Sequence, residues 1–504
     1  MMMWRAVAVE VLLLMGIWQV SSTGSRLQPK QIAIVGGGVG GAAASHFLRR
    51  EMGPDVKIDV FEAAAVGGRV ATQDVGGDGF EMGACIIHPL NLRMKQLVDD
   101  IGLKARAATP SKMAVFDGKG LSFEESDWLV VNFLRVLWRY GLSYFRMNTW
   151  MDGVMGKFMR IYQYQQDGYS FSSVDSLLHA MGGDSFLALA NQTLGEAMLA
   201  EGISQSFLDD LVVPVTRVNY GQCARIPGIV GAVAVAWASS GLWAVEGGNK
   251  RVCSGLLYHS KAQLIPARAT AITLKRRPSK NGPTSDQYEV KYIDQSGPAQ
   301  SLYDIVIVAT PLHQGMSDIA FIDFSPPIPA HFHGSFHRTV STLVHGRLNV
   351  SYLGSSENPA DFRFSDVLTT DRKDLSFYSL HSLDPVSIPR GYRRPPASEK
   401  KVWKLFSPDS LTEDQLKEIF ISWDDVAENR WLAYPSYVTP HYKSPSFVLH
   451  DHLYYLNAIE WSASAMEMSA ISAKNLALLA HNRWHGQEAK IDQEDLHTRL
   501  RGEL

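Results

Sequence analysis

Apolar residues in this chain gather into runs whose spacing predicts an alternation of strands and helices. Gln31 to Val35 is an apolar run that breaks into Gly36-Gly37-Gly38-Val39-Gly40-Gly41 and resumes as helix-forming Ala42 to Arg50, which predicts strand, tight turn, helix. Val56 to Phe61 alternates as a second strand and delivers Glu62. Tyr303 to Pro311 is continuous and β-branched, as suits a parallel sheet covered on both faces. Leu453 to Glu460 predicts a last strand, leading through Ser462 to Met466 into a helix reaching Leu479, with Ser462 or Ser464 as its cap. Ala267 to Lys275 and Gln287 to Tyr292, either side of the polar turn Asn281-Gly282-Pro283, predict a hairpin with a long loop. Helical periodicity marks Leu92 to Leu103, Val174 to Leu189 with a break at Gly182-Gly183, Leu194 to Leu211, and Val252 to Lys261.

One stretch exceeds what a helix face needs. From Asp127 to Tyr164 the chain is dense in aromatic and aliphatic residues, among them Trp128, Phe133, Leu134, Trp138, Phe145 and Met159, with Arg135, Arg139, Arg146 and Arg160 between them. Three readings are open: helix-packing core, the lining of a long apolar pocket, or a basic amphipathic face resting on a membrane.

Length changes the picture to two domains, because 504 residues exceed the size at which one core stops growing. A net charge of -3 offers no electrostatic reason for a nucleic-acid partner. Met1 to Gly24 has the layout of a secretory signal peptide, with Arg5, the apolar Val11 to Trp18 and small polar Ser21-Ser22-Thr23-Gly24. Glu10 and Gln19 leave the apolar run too short for a transmembrane anchor, and cleavage is expected within Ser21 to Ser25. Cys85, Cys223 and Cys253 make an odd count, so disulfides are not what holds the chain together. Asn191-Gln192-Thr193 and Asn349-Val350-Ser351 are N-glycosylation sequons, in agreement with a secretory route.

The candidate chemistry starts at the glycines. Gly36 permits the turn, Gly38 lets backbone approach a pyrophosphate, and Gly41 lets helix and strand pack closely, while Glu62 can accept hydrogen bonds from an adenosine ribose. Gly67, Gly68 and Arg69 form a second close-approach segment, whose cation can neutralise a diphosphate or face an electron-rich ring. Glu81 and His88 flank another Gly-containing segment, and Gly247-Gly248-Asn249 opens the helix at Val252. No internal repeat, zinc-type Cys spacing, H-E-x-x-H or G-x-S-x-G is present.

Taken in order, the glycine turn, Glu62, Gly67-Gly68-Arg69, Gly247-Gly248, Ala309-Thr310-Pro311 and the terminal segment with Glu460 resemble flavin-dependent amine oxidases and phytoene desaturases. More narrowly, His88 to Leu92, Val218 to Gln222, Gly241 to Lys250, Trp431 to Pro435 and Ala463 to Glu467 resemble the prenylcysteine oxidase family, including its oxidase-like branch. The resemblance implies an α/β fold: a doubly wound, Rossmann-type FAD-binding domain from residues 30–110, 240–315 and 450–485. An interleaved α+β substrate domain would come from 111–239 and 316–449. It implies non-covalent FAD, since residues 450–470 hold no cysteine for attachment. Gly36, Gly38, Gly41 and Gly68 would hold the diphosphate, Glu62 the ribose, and Arg69 the region between diphosphate and flavin. Ala269 would meet the adenine, and Glu460, Ser464, Ala465 and Met466 the ribitol and ring. The implied reaction opens the thioether of farnesyl- or geranylgeranyl-cysteine with O2 and water, giving prenyl aldehyde, cysteine and hydrogen peroxide. His88 or Glu81 would serve as a base for water attack. The implied location is the lysosome or another secretory-route compartment, with secretion as an alternative. Two further alternatives are an amine oxidase or desaturase of the same fold, and a flavin-retaining protein that binds lipid or another apolar small molecule.

Overall fold

The computed structural model describes residues 29–236, 241–277, 285–355, 359, 361–439 and 444–502. The signal-peptide segment and the turn Asn281-Gly282-Pro283 lie outside the described residues.

Six strands form the organising sheet: β1 (Gln31–Val35), β2 (Lys57–Glu62), β3 (Gln263–Pro266), β4 (Ile305–Val308), β5 (Val448–His450) and β6 (Leu453–Tyr455). Their spatial order is β5-β6-β4-β1-β2-β3, parallel except for the β5–β6 pair. Ile32, Ala33 and Ile34 are fully buried, as are all four residues of β4, so both faces are covered. One cover is a four-stranded sheet built on the hairpin Arg268–Arg277 and Ser285–Asp294, which meets β2 where Phe61 touches the rings of Tyr292 and Tyr303. Its outer strand Ala320–Ile322 pairs parallel with Arg268–Arg277.

Helix α1 (Val39–Met52) follows β1 directly, α2 (Leu129–Tyr140) and α3 (Ser143–Phe158) form a helical hairpin, and α4 (Met466–Trp484) comes after the last strand. Fully buried alanines on α1 (Ala42, Ala43, Ala44) and α4 (Ala470, Ala473, Ala477) supply the small side chains that let these two helices pack together.

A seven-stranded sheet lies apart, in the order Phe420–Pro435, Phe336–Leu348, Lys401–Ser407, Ser379–Ser382, Asp366–Thr369, Met113–Phe116, Leu121–Glu124. The hairpin Thr72–Val75 and Asp78–Glu81 packs on it through Val75, Phe80 and Met82 against Leu343 and Val402. That contact carries the segment after Glu81 from the first sheet's side onto the second. Helices from residue 129 to 236 make a third region.

Three expectations about elements are corrected. The predicted strand Leu453 to Glu460 ends at Tyr455 and continues as a 3₁₀ helix, Leu456–Trp461, because Glu460 turns inward to bond Asn457 and Arg69. Neither Ser462 nor Ser464 caps α4: its N-cap is Ala465, without a side-chain bond, and the helix runs to Trp484. The aromatic tract does not line an enclosed pocket along its length, since Trp128, Phe133, Leu134, Trp138 and Phe145 are exposed.

Candidate functional site

The glycine cluster makes a wall of bare backbone. Gly36 has φ +113°, and a Cβ there would come within 2.8 Å of the Ala309 carbonyl oxygen, so only glycine joins β1 to α1 beneath β4. A Cβ at Gly41 would overlap the Gly36 carbonyl oxygen, whereas at Gly38 the nearest atom would be 3.8 Å away. Gly38 is the extended N-cap of α1 and has no side chain over the first turn, leaving the N–H groups and positive end of the helix uncovered by a cap. Gly67 and Gly68, both with positive φ, run alongside: the Gly67 N–H donates to the Gly37 carbonyl at 3.1 Å.

Glu62 ends β2 beside this wall. Its Oε2 accepts from the Gly37 N–H at 2.7 Å and its Oε1 from the Ala64 N–H at 2.8 Å, which holds the carboxylate in place with lone pairs to spare. The Ala267 N–H donates to the Glu62 carbonyl, and Ala269 follows as a buried residue at the start of the next strand. Gly36, Gly38, Gly41, Glu62, Gly68 and Ala269 therefore sit in one neighbourhood.

Arg69 is held by a carboxylate from the other end of the chain. Its guanidinium forks onto the Glu460 carboxylate, with Nη1 to Oε2 at 3.0 Å and Nη2 to Oε1, and Nη1 also reaches the Ala433 carbonyl at 2.7 Å. Burial works against the Arg69 charge, but the Glu460 carboxylate outweighs it and holds the guanidinium above its ordinary value. These bonds use Nη1 and Nη2 and tie the segment after Gly68 to Glu460. Glu460, 1% exposed, is an internal anion satisfied by Arg69 and by Asn457 Nδ2.

Ser464, Ala465 and Met466 lead into α4, with Ser464 and Ala465 partly exposed and Met466 buried. The Ser464 N–H donates to the Tyr437 hydroxyl at 3.0 Å, and that hydroxyl donates to the Glu460 carbonyl at 2.9 Å. Tyr437 also meets Tyr220 edge to face, as does Tyr434, with centroids at 5.4 and 5.2 Å, and His337 stacks on Tyr434. Sequence pattern alone assigns these tyrosines no role. The available signal is that Tyr220 and Tyr434 fall inside the two motifs Val218 to Gln222 and Trp431 to Pro435, which the fold brings together: Gln222 donates to the Pro435 carbonyl and accepts from the Tyr437 N–H.

Glu81 and His88 are held by local structure. Glu81 Oε1 accepts from the Asn249 N–H at 2.6 Å, while Oε2 is buried with no hydrogen-bond partner among the described residues. Burial pushes this carboxyl up to about 7. The backbone N–H of Asn249, at the start of the helix that follows Gly247-Gly248, is thus taken up by Glu81. The Lys404 ammonium, buried, grips the carbonyls of Glu81 (3.1 Å) and Gly83 (2.6 Å); it is one of two lysines in the strand Lys401–Ser407, and sequence pattern does not single it out. His88 is buried in a turn, its Nδ1 accepting from the Leu90 N–H at 3.1 Å and its own N–H donating to Asn91. Burial holds the imidazole below its ordinary value. With Nδ1 occupied as an acceptor, a neutral His88 carries its proton on Nε2, which leaves neither nitrogen available as a proton acceptor in that geometry.

A Rossmann-type sheet with a glycine turn and an acid at the end of its second strand, joined to a separate sheet that carries Tyr434, defines the class: a dinucleotide-binding oxidoreductase fold. Residues 34–101 match the NAD(P)-binding Rossmann-like domain. Among solved structures the chain is similar to cyclohexylamine oxidase from Brevibacterium oxydans IH-35A, at 15% identity and TM-score 0.57, covering 90% of this chain and 99% of that one. Residues 123–493 match the prenylcysteine lyase family. The chain is 47% identical to prenylcysteine oxidase 1 of Bos taurus, over 98% of this chain and 96% of the relative. It is 44% identical to prenylcysteine oxidase 1-like of Bos taurus, over 95% of each. The chain belongs to the prenylcysteine lyase family.

Proposed function

We propose that the protein is an FAD-dependent oxidase that cleaves the thioether of a prenylcysteine. The observation that carries this reading is the continuous backbone wall of Gly36 to Gly41 and Gly67-Gly68 ending at a fixed Glu62, in a chain of this family. The wall fits FAD: Gly38 and Gly68 leave no side chain where a diphosphate would lie, α1 presents its positive end, and Glu62 retains lone pairs for ribose hydroxyls. Bound FAD supplies a two-electron acceptor for the C–H bond beside sulfur and passes those electrons to O2.

The chain's own residues orient and exclude. Tyr437 ties the Glu460 carbonyl to the Ser464 N–H and so fixes the entry to α4, where ring and ribitol would lie. The Arg69–Glu460 pair locks the segment after Gly68 to the same place. The half-buried Tyr434, backed edge to face by the buried Tyr220, presents ring surface beside it, suited to an isoprenoid chain. His88, whose Nδ1 accepts from the Leu90 N–H, is not arranged as a ready base, whereas Glu81 keeps an Oε2 unpartnered among the described residues and a raised carboxyl; water attack on the carbon beside sulfur would draw chiefly on the electrophilicity of the oxidised thioether. Collapse would then yield aldehyde and cysteine.

Passage through the secretory route to the lysosome is part of the proposal, supported by the layout of Met1 to Gly24 and by an exposed sequon asparagine, Asn191. Purified protein should show a flavin spectrum, and farnesylcysteine should bleach it without oxygen. A colourless protein would overturn the cofactor, and bleaching by amines but not by farnesylcysteine would overturn the substrate.

A further inference from the structure

The helical hairpin α2–α3 is unlike the rest of the surface. Among the described residues of α2 only Tyr140 is buried, where its ring meets Phe207 and its hydroxyl donates to Asp210 at 3.1 Å. The outward side carries Phe133, Leu134 and Trp138, the last 93% exposed, and the ends of the hairpin add Trp128 (73%), Leu142 and Phe145. Phe133 and Phe145 meet edge to face at 5.8 Å, so the two helices present one joined patch. Scattered exposed apolar residues need no explanation, but a contiguous aromatic patch does.

The charges that the hairpin itself carries across the patch have one sign. Residues 128–151 hold Arg135, Arg139 and Arg146 and no Asp or Glu. The arginines lie at the rim: Arg139 on Asp210, Arg146 on the Gly202 carbonyl, and Arg135 on the Glu124 carbonyl. The acid at the start of the hairpin, Asp127, is held between Lys112 and Arg363. A two-fold partner copy would set arginine rim against arginine rim, which disfavours self-association. An anionic lipid surface complements both features, since tryptophan suits the interface and arginine the headgroups.

We propose that the α2–α3 hairpin is a lipid-docking face that lays its aromatic patch into an anionic membrane surface without crossing it. No helix among the described residues is long and apolar enough to span. The docked face is connected to the candidate site: α3 touches the helix Gly228–Ala236, which packs on Val213–Tyr220, whose Tyr220 hydroxyl donates to the Ser464 carbonyl. A membrane-dissolved thioether would then need to cross only this helical layer, a step that alone rests on the proposed reaction.

The test uses the flavin-loaded full protein with phosphatidylcholine vesicles, with and without phosphatidylserine, read by flotation and by tryptophan emission without any substrate. Binding and a blue shift are expected with phosphatidylserine, weakened by salt. The double variant Leu134→Asp with Trp138→Asp should keep flavin absorbance and melting temperature but bind at least about ten-fold more weakly, and Arg135→Glu should lose the preference for phosphatidylserine. Absence of wild-type binding would overturn the proposal, as would equal binding by the double variant. A wild-type dimer that the double variant dissolves would assign the patch to a second copy instead. Failure of the thioether reaction would leave these vesicle results unchanged, so the two readings fail separately.

Discussion

Arg69 and Glu460 are 391 residues apart in the chain and form its tightest buried charge pair near the candidate site. Taking away the cation strands an anion that is almost wholly enclosed, so Arg69→Met should cost on the order of 3 kcal/mol and release flavin. Arg69→Lys keeps the charge but not the two-pronged geometry and should fall between. Chemical denaturation of flavin-loaded protein, with Glu460→Gln completing a double-mutant cycle, measures the coupling; an unchanged midpoint in Arg69→Met would remove the pair from the account. Glu81 makes a prediction about pH. Its carboxyl, raised by burial from 4.5 to about 7, holds its proton more tightly folded than unfolded. The contribution is therefore full below about 4.5 and is lost as pH rises toward 7, at up to about 1.4 kcal/mol per pH unit. Glu467 is raised to about 7 in the same way and titrates in the same window. Glu81→Gln should reduce, without abolishing, the decline of stability between those pH values. The place of Glu62 beside the glycine turn was legible, because it follows from a strand and turn within one short unit. The Arg69–Glu460 pairing was not, because no local pattern marks which distant carboxylate a cation will meet.

Helices and turns give sharper contrasts. Gly41→Ala should fail to retain flavin, since its methyl would overlap the Gly36 carbonyl oxygen, while Gly153→Ala, on α3 with open space at its Cβ, should stabilise by about 1 kcal/mol. Thermal melts of both, followed by flavin fluorescence, check the pair. Thr193 caps the helix Leu194–Ala200 in a reciprocal capping box with Glu196, and it is also the third residue of the Asn191 sequon. Thr193→Ala should therefore cost about 1 kcal/mol beyond any effect of sugar, whereas Thr193→Ser keeps both functions. The glycine turn, the first two strands and the hairpin were readable because period and turn residues are local. The strand expected through Glu460 was not: an apolar run is equally compatible with a 3₁₀ turn, and the inward pull of Arg69 and Asn457 decided it.

At the scale of the whole molecule, the proposed secretory route predicts sugar at Asn191. That side chain is exposed at a helix end, its amide donating only within its own helix to the Leu187 carbonyl, whereas Asn349 is half-buried with its amide donating to the distant Glu418 carbonyl. Glycosidase treatment should shift the mobility of protein from secretory cells, and Asn191→Gln should remove most of the shift; no shift in either would argue against the route.

Local chemistry in the chain was enough for the dinucleotide-type turn, the class of fold and the family, because glycines, a strand end and an acid act within a few tens of residues, and long motifs retain their order. Tertiary structure alone decided which partners the charged groups take and which apolar residues face water. The aromatic tract is the clearest case: its composition left core, channel and membrane face open, and only the packing of α2 through Tyr140, with Trp138 left outside, showed which of its side chains are not core. The physical reason is that burial and ion pairing are properties of what surrounds a side chain, and those surroundings are assembled from segments that the order of residues does not place side by side.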